Sequence, residues 1–314
     1  MAKDLNHLSV AVILAFYNGN EYIEEQVKSI LEQTHKNIKI FIFDDNSQNS
    51  LKKSLDNLKN KKDVRVTITK RNKNIGYAKN FLYGLRDLNE DFDFYAFSDQ
   101  DDIWEKNKIE IGLKSCEMKR NNKPKLYFSR TAYYNQDCSR EVGASKIHKK
   151  ASIFKNALVQ NIAGGNTIII NKKGRDILCN TLNSKEYTSH DWWSYQVISG
   201  ADGEIISSNA KTVKYRQHKD NIIGLNSSFK EKFKRLKYFF SGEYKKWCKI
   251  NIKNLYLNKH SISKRNLETL KFFSIAIKSK NIFEKIIYFK KSGVYRQSHI
   301  ENIILIIGLL LNKV

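Results

Sequence analysis

Apolar runs that alternate with helical periods predict an α/β fold, a mostly parallel sheet with helices on both faces. Three observations carry this. Short apolar-rich runs recur at 10–16, 38–43, 64–68 and 92–97, and the first is unbroken, as a strand covered on both faces needs. Segments with apolar residues at helical spacing lie between them. Polar residues collect directly after each run: Tyr17 and Asn18, Asp44 and Asp45, Asn74 and Gly76, Asp99 and Asp101. The βαβ order implies right-handed crossovers, which bring all of these strand ends to one edge of the sheet.

In order, 10–16 is the first strand. Lys3 ahead of it invites comparison with a secretory leader, but Tyr17-Asn-Gly-Asn-Glu21 supplies no small-residue cleavage pattern. Residues 21–33 read as a helix through Tyr22, Ile23, Val27, Ile30 and Leu31. Leu51, Leu55 and Leu58 mark a second helix, and 77–88 a third after the turn 72–76. Neither Gly-x-x-x-x-Gly-Lys nor Gly-x-Gly-x-x-Gly occurs at the first strand-to-helix turn, which removes P-loop and standard dinucleotide-binding readings.

The fourth strand ends in Ser98-Asp-Gln-Asp-Asp102. Carboxylates gathered at a strand end repel one another unless a cation sits among them, and Asp99 and Asp101 offer hard oxygen ligands to Mg²⁺ or Mn²⁺. The bland alternative is a solvated acidic turn that starts a helix from Ile103. Further on, 125–134 reads as a strand. Ile162-Ala-Gly-Gly-Asn166 is a turn or a place where backbone approaches a ligand. Residues 172–182 resemble a short helix. Ser189 can cap a helix that opens with His190, Asp191, Trp192 and Trp193. Residues 213–218 form a strand that delivers Arg216 and His218. A lone histidine is usually structural, but beside an acidic site His218 is a candidate ligand.

Fifty-six Lys and Arg against 32 Asp and Glu give a formal charge of +24, which predicts attraction to an anionic surface, nucleic acid or phosphorylated substrate. Cys116, Cys138, Cys179 and Cys248 form no Cys-x-x-Cys pair, against a zinc site or disulfide framework and in keeping with a reducing compartment.

From Phe229 aromatic residues recur at helical spacing through Phe233, Phe240, Tyr244 and Trp247, with lysines between them. This is the pattern of an interfacial membrane helix or of a helix packed on the main domain. The apolar run 303–311 is shorter than the ~20 residues a span requires, which leaves embedding in one leaflet or packing on the other C-terminal helices.

Taken together, the motifs resemble family 2 glycosyltransferases, and within them the bacterial rhamnosyltransferase-like group. The residues that carry the resemblance are Ala15-Phe-Tyr-Asn18 with Tyr22 and Gln26, Phe43-Asp-Asp-Asn-Ser47, Asn74-Ile-Gly-Tyr-Ala-Lys-Asn80, Phe97-Ser-Asp-Gln-Asp-Asp-Ile-Trp104, Gly164-Gly-Asn166, His190-Asp-Trp-Trp193 and Tyr215-Arg-Gln-His218 with Asn221 and Gly224.

The resemblance implies a GT-A fold, Rossmann-like in its sheet. A catalytic domain would span 1–225, with a nucleotide-binding half over 1–103 and an acceptor half over 104–225. A basic, mainly helical, membrane-associating region would follow over 226–314. It implies a donor-nucleotide site of Ala15, Tyr17, Asn18, Asp44, Asn74, Gly76, Lys79, Asp99 and Gln100, and a Mg²⁺ or Mn²⁺ site of Asp99, Asp101 and His218. Asp191 would be the catalytic base. Acceptor contacts would come from Trp104, Gly164, Gly165, Asn166, His190, Trp192 and Trp193. His190 stands where many relatives have Glu, and Lys79 where Arg is frequent.

The implied activity is inverting transfer of a sugar, rhamnose from dTDP-rhamnose, to a glycan or lipid-linked glycan at the inner face of the bacterial membrane in surface polysaccharide synthesis. A UDP-hexose donor is the alternative of the same fold. A non-catalytic nucleotide-sugar- or polyanion-binding protein is the alternative of another class. Nucleic acid as partner leaves the strand-end carboxylates unexplained.

Overall fold

A computed structural model describes residues 5–19, 21–48, 65–217 and 239–314. The helix expected around Leu51, Leu55 and Leu58 lies outside these residues. So do His218, Asn221, Gly224, the 225/226 domain boundary and the aromatic-basic stretch 229–237.

The first half holds the expected alternation. Strand β1 (Val10–Phe16) leads to helix α1 (Ile23–Leu31) and strand β2 (Ile38–Asp44). Strand β3 (Val66–Lys70) precedes α2 (Tyr77–Arg86) and β4 (Phe94–Ser98). These four strands pair in parallel in the order β3-β2-β1-β4.

Burial explains the continuous apolar runs. Val10, Val12 and Leu14 face a cluster with Ile23, Val27 and Ile30 of α1. Ala11 and Ile13 face the opposite cluster, with Phe81, Leu82 and Leu85 of α2. Side chains alternate along a strand, so a strand covered on both faces is apolar at every position. The register then aligns the carboxyl ends, since Phe16 pairs with Asp44, Asp44 with Lys70, and Leu14 with Ser98.

After β4 the bland reading of the acidic turn is corrected. Ile103 does not open a helix. It forms with Trp104 a short strand, β5 (Ile103–Trp104). Helix α3 (Lys108–Met118) starts later, so Asp102 caps nothing.

Beyond this point the sheet is mixed. Strand β6 (Lys125–Tyr134) pairs antiparallel with β7 (Glu141–Ala144). After the short α4 (Phe154–Ala157), β8 (Ile169–Asn171) runs antiparallel to β4 and to β6. Helices α5 (Lys172–Cys179) and α6 (His190–Gly200) follow. Strand β9 (Glu204–Arg216) is parallel to β6 and antiparallel to β5. The nine strands form one sheet, parallel throughout its first half and mixed in its second.

The C-terminal helices are α7 (Glu243–Leu257), α8 (Lys264–Lys278), α9 (Ile282–Ser292) and α10 (His299–Leu310). Of the expected aromatic stripe, the described part faces inward. Tyr244 is buried and donates its hydroxyl to the Val159 carbonyl at 2.7 Å. Trp247 meets Trp192 edge to face at 6.4 Å. Phe239, Cys248, Ile252 and Leu255 join the cluster that holds Trp193. Along α7, packing on the main domain is the arrangement the molecule adopts. No described helix is long and apolar enough to cross a membrane.

Candidate active site

Loops from four strand ends meet at the carboxyl edge. After β1, Tyr17 is nearly half exposed and Asn18 takes φ +50°, a left-handed conformation that Asn tolerates. The Gln100 amide clasps this loop, accepting from Tyr17 N at 2.8 Å and donating to Tyr17 O at 3.3 Å. A Cβ at Gly19 would lie 2.2 Å from the Gln100 amide, so a side chain there would push that amide from its place against Tyr17. Asn18 N donates to Ser47 Oγ and Gln48 N to Asn18 Oδ1, both at 3.0 Å, which ties the β1 loop to the β2 loop. Ala15 lies within β1 opposite Phe43.

At the end of β2, Asp44 is buried and its Oδ1 accepts from Ser47 N at 2.8 Å. Its neighbour Asp45, expected at the same edge but given no role of its own, is the stronger bracket. Its two oxygens accept from Ile75 N and Gly76 N, each at 2.8 Å. Gly76 has φ +83° and ψ 151°, a region open almost only to glycine. Asn74 Oδ1 also accepts from Gly76 N at 3.1 Å. Asn74 and Gly76 are exposed and Lys79 partly so.

Asp99 and Asp101 are partly exposed, whereas Asp102 is buried. Asp102 Oδ2 accepts from Asn166 Nδ2 at 2.6 Å, which links the acidic loop to the Gly164-Gly165 turn. Its Oδ1 has no hydrogen-bond partner. Nor does Nζ of the fully buried Lys108, which sits 3.7 Å from the centre of the Trp104 ring. Burial pushes the Lys108 ammonium down to about 7, against the opposing pull of Asp102 and Asp99. Burial, with the charges of Asp101 and Asp99, pushes Asp102 well up.

Asp99 is pushed up to about 7, first by burial and then by the charges of Asp101 and Asp191, with Lys108 pulling the other way. His190, the first residue of α6, meets Phe97 near the end of β4 edge-on at 5.1 Å, which puts the first turn of α6 beside the acidic loop.

The far wall comes from β9. Arg216 is buried, donates from Nε to the Asp101 carbonyl at 3.0 Å, pairs with Glu25 and lies over the Tyr22 ring at 4.3 Å. A guanidinium so held fixes the Asp101 backbone. His218 lies two positions past Arg216, outside the described residues. Among the described residues no group of three His, Cys, Asp or Glu is arranged to hold a metal. Asp99 and Asp101 are the pair that faces the cleft.

In α6, Ser189 caps the helix, with its Oγ accepting from Trp192 N at 3.4 Å. Asp191 is partly exposed and its Oδ1 accepts from Trp192 N at 2.7 Å. His190 points the other way. It is buried, stacks on Phe81 at 3.9 Å and meets Phe97 edge-on at 5.1 Å, and neither ring nitrogen has a hydrogen-bond partner. Burial pushes it down to about 4, with Asp191 pulling upward. A Cβ at Gly165 would lie 2.5 Å from His190 Nε2, so that glycine makes room for the ring.

The acceptor role expected for the aromatic residues needs correction. Trp192 and Trp193 are buried, and their indole N–H groups donate to Ala157 O at 2.6 Å and Thr181 Oγ1 at 3.2 Å. Trp104 is buried beneath Lys108. Their faces are core surface, and His190 is walled in by rings. Of the expected acceptor residues only Gly164 is exposed, with Gly165 partly so and Asn166 turned in toward Asp102.

Residues 11–171 match the model of a family described as Glycosyl transferase family 2. The chain belongs to this family. Over 242 residues this family 2 chain is 33% identical to dTDP-rhamnosyl transferase RfbG of Shigella flexneri, which covers 74% of it and 81% of the relative.

Two solved structures share the fold of this family 2 member. Residues 1–349 of S. aureus TarS in complex with UDP-GlcNAc superpose with TM-score 0.54 at 15% identity, over 91% of this chain and 79% of that one. The mannosyltransferase PcManGT from Pyrobaculum calidifontis, in complex with GDP-Man and Mn²⁺, gives 0.52 at 12% identity, over 98% and 86%. At such identities the likeness is one of fold, a GT-A α/β domain with a helical C-terminal region.

Proposed function

We propose that the chain is an inverting, metal-dependent glycosyltransferase that moves rhamnose from dTDP-rhamnose to a hydroxyl of a glycan or lipid-linked glycan in bacterial surface polysaccharide synthesis. The 33% identity to a dTDP-rhamnosyl transferase supports the donor. The single observation that carries the chemistry is the placement of Asp191, in the first turn of α6, near Asp99 and Asp101 at the carboxyl edge, where the charges of Asp101 and Asp191 add to burial in raising Asp99.

The cleft suits a divalent cation, because repulsion among these carboxylates is what a bound cation relieves. Asp99 and Asp101 would hold it, with His218 as the third expected ligand. A Mg²⁺ or Mn²⁺ ion there supplies Lewis-acid compensation for the charge that builds on the departing diphosphate. The rest is the work of the chain. The clasp between Gln100 and Tyr17 holds the donor loop against the acidic loop. Asp45 sets the Asn74–Gly76 turn that lines the nucleotide side, next to Asp44 and Lys79. Asp191 is solvent-accessible and takes the proton from the acceptor hydroxyl as it attacks the anomeric carbon from the face opposite the diphosphate. The bond to the diphosphate oxygen breaks as the new glycosidic bond forms, and the anomeric centre inverts. Enrichment of the chain in Lys and Arg favours work at an anionic membrane surface.

Thermal shift and donor hydrolysis across a panel of nucleotide sugars, with Mn²⁺ and with chelator, test this reading in the wild type and in Asp101→Ala. We expect a metal-dependent shift with dTDP-rhamnose that the substitution abolishes. A shift with a UDP-hexose instead moves the donor assignment. No response to any donor from the folded protein would sink the metal–diphosphate site.

A further inference from the structure

The last two helices both present apolar side chains to solvent, and the first of them is turned inside out. In α9 the buried residues are Lys285 and Ser292, while Ile282, Phe283 and Ile287 are 57%, 78% and 51% exposed. Lys285 is drawn inward because its Nζ donates to the Leu309 carbonyl at 2.9 Å and to Asn312 Oδ1 at 2.6 Å. A cation is favourable at that helix end, where carbonyls lack intrahelical partners. This inward lysine leaves the apolar side chains of α9 in solvent.

Helix α10 shows the same pattern from the other side. Leu305, Gly308 and Leu309 face inward, and Gly308 lies so close to Phe239 that a Cβ would come within 2.5 Å of its ring. The outer face at helical spacing is also apolar, with Ile300, Ile303 and Ile307 at 72%, 58% and 43% exposure. A helix apolar all round belongs inside a protein or at a bilayer, and neighbouring apolar faces of this kind mark interaction sites.

We propose that the outer faces of α9 and α10 are a lipid-docking surface that seats the protein on an anionic bilayer, with the helices lying in the interface. Charge selects this occupant over a second copy of the chain. The segment 278–314 carries Lys278, Lys280, Lys285, Lys290, Lys291, Arg296 and Lys313 against Glu284 and Glu301, and of the basic residues only Lys285 is buried. Basic residues beside an apolar face attract acidic headgroups while the side chains enter the acyl boundary. A second chain of charge +24 would be repelled. This rests on the expected membrane contact of the C-terminal region and narrows it: Tyr244 and Trp247 of α7 pack on the main domain, and the outer faces of α9 and α10 are what remains exposed.

Co-sedimentation of the full chain with phosphatidylcholine vesicles, with and without phosphatidylglycerol, tests it. The wild type should sediment with the anionic vesicles. The exposed-face variant Ile303→Asp/Ile307→Asp should lose roughly tenfold or more in partitioning, with its melting temperature unchanged. Lys290→Glu/Lys291→Glu should weaken binding in proportion to the phosphatidylglycerol content. Equal sedimentation of wild type and the Ile303/Ile307 variant, or no wild-type binding to either vesicle, would overturn the proposal. So would a dimer in sedimentation velocity that the same variant dissociates. A donor thermal shift measured without vesicles separates the two readings. Vesicle binding without any donor response removes the transferase proposal alone, and a donor response without vesicle binding removes only the docking surface.

Discussion

At the residue scale the cleft is governed by carboxylates whose neighbours decide their charge. Asp191 is accessible and faces Asp99, whereas Asp102 is buried and held by Asn166. Asp191→Asn keeps the acceptor oxygen for Trp192 N and removes the base. We expect turnover to fall ~10²–10⁴-fold with donor affinity unchanged, read from initial rates and donor titration.

His190, buried among rings, bears on stability. Its folded pKa of about 4 lies below its ordinary 6.5, so the unfolded chain binds the extra proton between those values. Stability is therefore full above pH 6.5 and is lost as the pH falls toward 4. Between pH 7 and 5 this costs the wild type roughly 2 kcal/mol, an order-of-magnitude figure. His190→Phe suits the ring-lined pocket and should flatten that loss. Denaturant melts of both proteins at pH 7 and 5 would show it, and parallel pH profiles would refute the assignment.

At the element scale the nucleotide side rests on strand-end turns, and the Asp45 bracket on Gly76 is the one with least slack. Gly76→Ala must either strain a backbone that only glycine adopts or move the turn off Asp45. We expect a cost of about 1–3 kcal/mol and weaker donor binding, measured by chemical denaturation and donor titration. A variant as stable as wild type with equal affinity would mean that the turn plays no part in the nucleotide site.

At the scale of the whole molecule the C-terminal helices are structural before they are anything else. Phe239, Tyr244, Ile252, Leu255, Leu270 and Phe273 belong to the cluster that buries Trp192 and Trp193. A chain ending before residue 239 would expose that cluster, and the first turn of α6, with Asp191, stands on it. We expect such a chain to be insoluble or to lose its near-ultraviolet circular dichroism. A soluble truncated domain with native spectra would contradict this. Membrane attachment is therefore tested with surface substitutions and not by removing the region.

The alternation of strand and helix in the first half, and the edge where its strand ends gather, were legible in the sequence, because a parallel strand covered on both faces is apolar and its polar successors must then share an edge. Asp99 and Asp101 could be named for that reason, and Asp191 only through the family motifs. What those motifs left undecided is which way side chains point. Trp192, Trp193 and Trp104 lie beside site residues in sequence, yet helix and strand geometry turns them inward, and no local pattern distinguishes a sugar-stacking ring from a core ring. Asp45 and Arg216 were placed at the edge without their roles, because their partners lie 30 or more residues away, and Lys108 went unnoticed because buried charges look the same in sequence as solvated ones. The same limit hid the inversion of α9. Its lysine is internal and its isoleucines are external only because the end of α10 offers carbonyls at that point. Apolar periodicity thus determined the layers and the edge, and only tertiary contact decided which charges were buried and which apolar faces were left outside.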